Sequence, residues 1–296
     1  MFSVAITGEI GSGKSTLAQI WGCMGANVVD LDALAKDQWS QPGIMEAAAE
    51  RWGHDIYPGG KPDFRQIAGL MFGSAEDYSF AIGLIHPGTM AEASRMIHNL
   101  SGWVVLEIPL LFETGWFDLI DCIVCVTATD SLRMERAASR GWSGSEFSVR
   151  ERFMIESKKK QALSDVVMRN TGSLEEWEAS ARELGSLLRK MSGVHELSVY
   201  CKSIDEAYAI MAALIDEQLA AGANVRKVES MFRWRGEIVE TPEYLVHSFT
   251  VESNLRDAMR WIRKIHSYEV PVITAREIRR SDYPTLKWVV DNCGGE

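Results

Sequence analysis

The sequence predicts an α/β fold with a doubly wound parallel sheet, followed by a smaller α+β domain. In the first part of the chain, apolar strand-like runs alternate with helical patterns, as is typical of βαβ units whose sheet is covered on both faces. After residue 193 the order becomes β-α-β-β-α-β, which indicates a split βαβ domain. We therefore expect two domains, residues 1–192 and residues 193–296, joined at the short segment Met191–Gly193.

Short apolar runs predict the buried strands of the first domain, and apolar residues recurring with the helical period predict the helices between them. The predicted strands are Val4–Thr7, Asn27–Asp30, Trp103–Pro109, Ile120–Thr127 and Val166–Arg169. The predicted helices are Lys14–Gly22, Ala33–Trp39, Ala75–Asn99, Asp130–Ser139 and Leu174–Lys190. Their alternation favours a parallel sheet covered by helices on both faces.

The same patterns predict a ferredoxin-like second domain. Strands are expected at Leu197–Cys201, Val225–Arg235, Glu237–Glu252 and Val270–Arg276. Helices are expected at Ile204–Ala221, Asn254–His266 and Tyr283–Asn292. The two long strands meet at Gly236, which predicts a hairpin.

Composition narrows the possible functions. The chain has 31 basic and 41 acidic residues, a net charge of −10, which disfavours nucleic acid or an anionic membrane as a partner. We expect no membrane span, because no apolar run approaches the roughly 18 residues that one requires. The apolar start of the chain is too short for a signal peptide. Five scattered cysteines suggest no disulfide framework, so we expect a reducing cytoplasm.

A phosphate-binding motif follows the first predicted strand. Residues 8–15, Gly-Glu-Ile-Gly-Ser-Gly-Lys-Ser, satisfy GxxxxGK[ST] between a strand and a helix. Glycines allow backbone N–H groups to converge on phosphate oxygens, and the helix N-terminus adds its positive dipole end. We expect Lys14 to reach the β- and γ-phosphates of a nucleoside triphosphate, and the Ser15 hydroxyl to ligate Mg²⁺.

Two carboxylates end the second predicted strand. Asp30 and Asp32 are two residues apart and share the carboxyl edge of the sheet with the phosphate loop. A carboxylate there would accept a proton from an acceptor hydroxyl or help to hold Mg²⁺. The alternative is that Asp32 only caps the helix Ala33–Trp39.

Arginines cluster later in the first domain. Arg133, Arg136 and Arg140 recur on one helical face, and Arg150 and Arg152 follow a glycine-flanked segment. Such a segment would close over the triphosphate, neutralise transferring charge and exclude water. The alternative is a solvated helix face.

Several motifs together resemble the dephospho-coenzyme A kinase family over about residues 1–190. They are TGEIGSGKST at 7–16, Asp-Leu-Asp at 30–32, Ile-His-Pro at 85–87, IPLLFE at 108–113, the arginines at 136 and 140, and the stretch 165–172. The resemblance implies transfer of phosphate from ATP to the ribose 3′-hydroxyl of dephospho-CoA. It also implies that a helical region over about residues 40–100 covers the substrate.

The resemblance assigns roles by position. Asp32 is the expected base, with Lys14, Arg136 and Arg140 acting on the phosphates. ATP is expected at Gly8, Gly11, Ser12, Gly13, Lys14, Ser15 and Thr16, with Mg²⁺ on Ser15. Asp30, His86 and Glu113 are expected to bind the substrate. The sequence departs from the family at Glu107, often aspartate, and at Gly88, often bulky and apolar. A nucleoside monophosphate kinase and a non-catalytic nucleotide- or metal-binding oligomer therefore remain the alternatives.

The second domain resembles the CutA divalent-cation-tolerance family over about residues 196–293. The matching segments are 219–224, 230–238, 240–243, 266–271 and 283–288. The resemblance implies a trimer whose long hairpins pair between subunits. Gly222 stands where the family often has a cysteine, so His266 remains a lone and weak metal ligand.

Phe232 and Trp234 alternate along one predicted strand, which marks a buried face or an interface. We therefore interpret the second domain first as an oligomerisation module, forming a homotrimer. The second interpretation is a metal-responsive or small-ligand regulatory module.

Overall fold

The structure is a computed structural model that describes residues 1–294. Contacts divide the chain into two compact units, Ser3–Glu183 and Leu184–Glu296 with Met1–Phe2. We call these the N-terminal and C-terminal units. The boundary between them falls inside the helix Leu174–Met191, which ends one residue before the predicted domain limit at residue 192.

The N-terminal unit is built on a five-stranded sheet. Its strands are β1 (Phe2–Gly8), β2 (Asn27–Asp30), β3 (Trp103–Glu107), β4 (Cys122–Thr127) and β5 (Val166–Arg169). The spatial order is β2-β3-β1-β4-β5, with parallel pairing of β1 with β4, β2 with β3, and β4 with β5. Because the chain moves first to one side of β1 and later to the other, the loop after β1 lies at the topological switch point, where α/β sheets bind ligands.

Helices surround this sheet and extend beyond its carboxyl edge. They are α1 (Lys14–Cys23), α2 (Leu31–Gln38), α3 (Pro42–Trp52), α4 (Phe64–Met71), α5 (Ala75–His98), α6 (Leu111–Thr114), α7 (Asp130–Ser139), α8 (Gly144–Glu151), α9 (Ser157–Ala162) and α10 (Leu174–Met191). Among the described residues none of these helices, nor those of the other unit, is long and apolar enough to cross a bilayer.

Helices α2 to α5 form a helical layer with its own core. Trp39, Ala48, Ile67 and Ile85 are buried in it. Helix α2 packs closely on α5 at Gly88. A Cβ at this position would lie only 2.1 Å from the side-chain oxygen of Gln38. The glycine at position 88 thus has a local cause. The helices predicted over residues 40–100 are present, and their role as a cover for the substrate stays a prediction.

The C-terminal unit has the predicted β-α-β-β-α-β order followed by one more helix. Its elements are β6 (Val194–Cys201), α11 (Ile204–Asp216), β7 (Gly222–Trp234), β8 (Glu237–Val251), α12 (Glu252–Ile265), β9 (Ile273–Glu277) and α13 (Tyr283–Asn292). The antiparallel sheet has the order β7-β8-β6-β9. Leu197, Ile210, Val246 and Ile262 lie in the core between the sheet and its helices.

The β7–β8 hairpin extends past the rest of this sheet. Its turn is Arg235-Gly236, both with positive φ, as the predicted hairpin requires. Strand β8 pairs with β6 only from Tyr244 onward, so no third strand among residues 1–294 pairs with the part of the hairpin between Val228 and Glu243. Apolar side chains on this end are solvent-exposed, including Met231 at 67% and Ile238 at 62%.

Candidate active site

The phosphate loop joins β1 to α1, as the motif predicts. Gly11 and Gly13 have φ values of +74° and +106°, which side chains with a Cβ rarely adopt. A Cβ at Gly13 would also lie 2.3 Å from the Asn170 amide nitrogen, and one at Gly11 would lie 2.6 Å from the Arg133 carbonyl oxygen. The loop therefore needs glycine at both positions for its shape and for its close neighbours.

Side chains behind the loop hold its carbonyl groups. Arg133 Nε donates to the Ile10 oxygen at 3.0 Å, and Arg136 donates to the oxygens of Gly11 and Ser12 at 3.3 and 3.4 Å. Asn170 Nδ2 donates to the same Ser12 oxygen at 2.8 Å. Because a peptide group points its N–H away from its C=O, anchoring these carbonyls directs the N–H groups away from α7, as an anion cradle requires.

Lys14 is buried at the start of α1. Its ammonium group donates to the backbone carbonyl oxygens of Glu9 at 2.9 Å and Gly8 at 3.3 Å. Burial lowers the pKa of Lys14 to about 8, against the opposing fields of Glu107 and Asp32. A bound triphosphate would favour the charged form of Lys14, because its negative charge would add to those of Glu107 and Asp32.

Ser15 and Glu107 form an oxygen pair beside Lys14. The Ser15 hydroxyl donates to Glu107 Oε1 at 2.7 Å. Burial raises the pKa of Glu107, as do the nearby carboxylates of Asp30 and Asp32. Hydroxyl and carboxylate oxygens are the ligands that Mg²⁺ prefers, so Ser15 and Glu107 fit the cation that the resemblance implies. Thr16 follows in the first turn of α1.

The two predicted carboxylates have different surroundings. Helix α2 begins at Leu31, and the side chain of Asp30 caps it by accepting from the Ala33 N–H at 3.1 Å. The alternative in which Asp32 caps this helix is therefore wrong. Asp32 lines the cavity described next and is exposed to solvent there, yet the surrounding protein atoms partly desolvate its carboxylate and raise its pKa against the opposing field of Lys14.

A cavity of about 670 Å³ opens between the sheet edge and the helical layer. Asp32 and His86 both line it, and burial lowers the pKa of His86. Much of the remaining wall is apolar, with Trp39, Phe72 and Trp142 among its side chains. The structure thus brings Asp32 and His86 together around one cavity, and the charge of Lys14 in the phosphate loop acts on Asp32.

Two other predicted site residues lie elsewhere. Glu113 is not among the residues that line the cavity, and its carboxylate pairs with buried Lys160 at 2.8 Å and accepts from the Ile155 N–H at 2.8 Å. Arg140 is exposed at the C-terminal end of α7, next to Gly141, which does line the cavity. Their predicted roles remain predictions.

Sequence reasoning did not assign Glu107 or Asn170 to the site. It expected Arg133 to act on the triphosphate, whereas the structure shows it holding the Ile10 carbonyl of the loop. Glu107 had a usable signal, because it ends β3, the strand next to β1 at the same sheet edge. Asn170 follows β5 and had no signal beyond its place in the stretch 165–172. Its role as a loop anchor depends on a contact with Ser12, 158 residues away in sequence.

A second polar cluster lies in the C-terminal unit. Ligand atoms of Cys201, Glu206 and His266 lie within 4.8 Å of one another, so the interpretation of His266 as a lone ligand is wrong. Both ring nitrogens of His266 have backbone partners, the Tyr200 oxygen at 2.8 Å and the Tyr268 N–H at 3.0 Å. Burial raises the pKa of Cys201 to about 12, which disfavours the thiolate that binds metals.

Gly222, where the related family often has cysteine, lies against Trp288. A Cβ at this position would come within 2.7 Å of the indole ring. Any larger residue at 222 would therefore require Trp288 to move.

Comparison with known proteins agrees with this geometry. Residues 2–176 match the family model of dephospho-CoA kinase, and residues 197–292 match that of the CutA1 divalent ion tolerance protein. The chain is 36% identical over 195 residues to dephospho-CoA kinase of Thermus thermophilus, an alignment covering 64% of this chain and 92% of that one. It is 35% identical over 191 residues to the Corynebacterium diphtheriae enzyme, covering 61% and 94%.

The crystal structure of TT1252 from Thermus thermophilus superimposes with a TM-score of 0.53 at 34% identity. It covers 62% of this chain and 96% of that chain. The kinase family model matches more than half of this chain, and the alignments cover 92% and 94% of the two kinase relatives. This chain therefore belongs to the dephospho-CoA kinase family and carries a CutA1-type domain after the kinase domain.

Proposed function

We propose that this kinase transfers the γ-phosphoryl group of ATP to the ribose 3′-hydroxyl of dephospho-CoA, with Mg²⁺ bound at Ser15 and Glu107. The observation that carries the proposal is the state of Asp32. Its carboxylate is free of the helix cap, lines the cavity, and lies within electrostatic range of Lys14 in the phosphate loop. The proposed compartment is the cytoplasm, because all five cysteines are free thiols.

In this proposal the loop and Lys14 bind the β- and γ-phosphates, and the acceptor lies in the cavity. Asp32 orients the 3′-hydroxyl and accepts its proton as the oxygen attacks the γ-phosphorus. The bond from this phosphorus to the bridging oxygen breaks, and ADP leaves. Mg²⁺ would neutralise charge on the phosphates.

The arginines of α7 complete the proposed site. Arg136 lies directly behind the loop, and Arg140 is next to the cavity wall at Gly141. We propose that both act on the transferring phosphate when the arginine-bearing segment closes over the triphosphate. Arg136 would then exchange its hydrogen bonds to loop carbonyls, at 3.3 and 3.4 Å, for bonds to phosphate oxygens. Asp30 and His86 border the acceptor at the sheet edge and the cavity wall.

A phosphotransfer panel tests the proposal. With ATP and Mg²⁺, we expect the full chain to phosphorylate dephospho-CoA and to leave nucleoside and deoxynucleoside monophosphates unchanged. Lys14→Ala should abolish transfer while the fold survives, because the triphosphate loses its buried counter-charge. Transfer to a nucleoside monophosphate in preference to dephospho-CoA would favour the related kinase class, and affinity for ATP without any turnover would favour a binding scaffold.

We further propose that residues 193–296 assemble the chain as a homotrimer, with residues 1–192 as the catalytic domain. The protruding end of the β7–β8 hairpin supports this proposal. It exposes unpaired strand edges and apolar side chains, including Met231 and Ile238, that natural proteins cover. In a closed cyclic trimer each hairpin can extend its neighbour's sheet.

Light scattering checks the assembly. The full chain should have about three times its monomer mass of 33.1 kDa, whereas residues 1–192 expressed alone should be monomeric. A monomeric full chain, or a trimeric fragment, would show that the C-terminal unit is not the assembling element. A metal-responsive role for this unit stays the second interpretation, resting on the Cys201, Glu206 and His266 cluster.

A further inference from the structure

Two basic side chains on the cavity wall have no ion-pair partner. Lys36 on α2 and Arg65 on α4 both line the cavity. Within residues 1–294 neither makes a side-chain hydrogen bond or an ion pair. Arg65 interacts only at longer range with Asp63 and Glu146, and Lys36 with Asp32.

The other charged side chains that line the cavity have partners or a proposed role. Glu146 accepts from the Ser143 N–H at 2.8 Å in the capping box of α8. The guanidinium of Arg150 stacks on the Trp142 ring, 3.9 Å from its centroid. Asp32 is assigned to the acceptor hydroxyl. Lys36 and Arg65 therefore remain as exposed positive charges on the cavity wall that no carboxylate contacts directly, and a ligand anion would supply that contact.

The position of Lys36 relative to Asp32 indicates which part of the acceptor would carry this anion. The two residues are four apart on α2, so they lie on one face about 6 Å from each other along the helix. In a ribose, C3′ bears the 3′-hydroxyl, and C5′, which bears the 5′ substituent, is bonded to the adjacent ring carbon C4′. A ribose that presents its 3′-hydroxyl to Asp32 thus places its 5′ substituent about one helical turn away.

We propose that Lys36 and Arg65 form a subsite for the 5′-diphosphate of the acceptor, an inference that rests on the proposed function. Lysine supplies a compact point charge, and arginine can bind two phosphate oxygens in parallel. The subsite distinguishes a nucleotide with a 5′-diphosphate from a bare nucleoside. The apolar wall beyond it, which includes Ile67 and Met71 of α4, is left for the rest of the acceptor.

Steady-state kinetics of the full chain tests the subsite. Lys36→Met and Arg65→Met should each raise KM for dephospho-CoA roughly tenfold, with little change in kcat, because each removes a charge-assisted contact made in the ground state and the transition state alike. Lys36→Arg should retain most of the affinity. Each Met variant should also weaken the salt dependence of KM, because one phosphate contact is lost.

Adenosine is the matched probe, because it has the ribose and base without the diphosphate. Its inhibition constant against dephospho-CoA, measured at saturating ATP, should be the same in the wild type and in both Met variants. Lys61→Met is the matched control variant. Among the described residues Lys61 also makes no side-chain hydrogen bond or ion pair, but it lines an adjacent groove and not the cavity. It should leave KM unchanged.

Unchanged KM for dephospho-CoA in both Met variants would overturn the subsite, as would an equal loss of adenosine and dephospho-CoA binding. Both results require a wild-type chain that phosphorylates dephospho-CoA. A wild type that does not phosphorylate it would instead contradict the proposed function itself, so the two failures are distinguishable.

Discussion

Replacing Asp32 with asparagine should lower kcat for dephospho-CoA by about 10²–10⁴-fold, the usual cost of losing a positioned general base. ATP affinity should stay near the wild-type value, because the loop and Lys14 are untouched. Asparagine keeps the size of the side chain, and Asp30 still caps α2. Steady-state kinetics together with a separate ATP-binding titration measures the two quantities independently.

Asp37→Asn is the matched control, because Asp37 is an exposed aspartate of the same helix outside the cavity lining. It should leave kcat within about twofold, as surface substitutions usually do. If Asp32→Asn also leaves kcat unchanged, Asp32 is not the base and Asp30 becomes the candidate. That outcome would separate the two carboxylates that the sequence could only place together.

The pH dependence gives a second readout of the same group. A base must be deprotonated to accept the hydroxyl proton, and partial desolvation by the cavity wall raises the pKa of Asp32. Activity should therefore fall on acidification at a higher pH than for an ordinary aspartate. Glu107 also has a raised pKa, so the variant Glu107→Gln is needed to decide which carboxylate causes the acidic limb of the pH–activity profile. The limb should persist in Glu107→Gln and disappear in Asp32→Asn.

The contrast between Asp30 and Asp32 shows what sequence patterns can predict here. The motif and its strand–helix context placed the phosphate loop, because glycine positions and a following lysine are local requirements. The helix cap was harder to place, because aspartates two residues apart can both serve and only the observed start of α2 at Leu31 decides between them. Contacts such as Asn170 to Ser12 depend on tertiary packing and leave no local pattern.

The fold shows the same division. The β-α-β-β-α-β order of the C-terminal unit follows from period and turn residues, and so does its hairpin turn at Gly236. The short helices α6, α8 and α9 were not predicted. With 4, 8 and 6 residues they offer too few turns for a periodic signal. One consequence is that the buried charge of Lys160, on α9, could not be paired with Glu113 from the sequence.

That pair leads to the largest expected change in stability. Lys160 is fully buried, and its ammonium group lies 2.8 Å from Glu113 and donates to the Pro109 oxygen at 3.0 Å. Lys160→Met should lower the free energy of unfolding by about 3–5 kcal/mol, because it leaves the Glu113 carboxylate buried without its counter-charge. ATP binding should raise the unfolding temperature of the unit that binds it, which identifies that unit's transition in calorimetry of the full chain. The loss of stability in Lys160→Met should appear in this transition.

The double variant Lys160→Met with Glu113→Gln decides what Glu113 does. If the pair is structural, removing both charges should recover much of the stability that Lys160→Met loses, because no unpaired charge remains. Glu113→Gln alone should then destabilise the chain and leave KM for dephospho-CoA near the wild-type value. If Glu113 binds the substrate instead, the single Glu113→Gln variant should raise KM while its unfolding transition stays in place. The sequence motif that contains Glu113 is compatible with both roles, but its buried contact with Lys160 leads us to expect the first result.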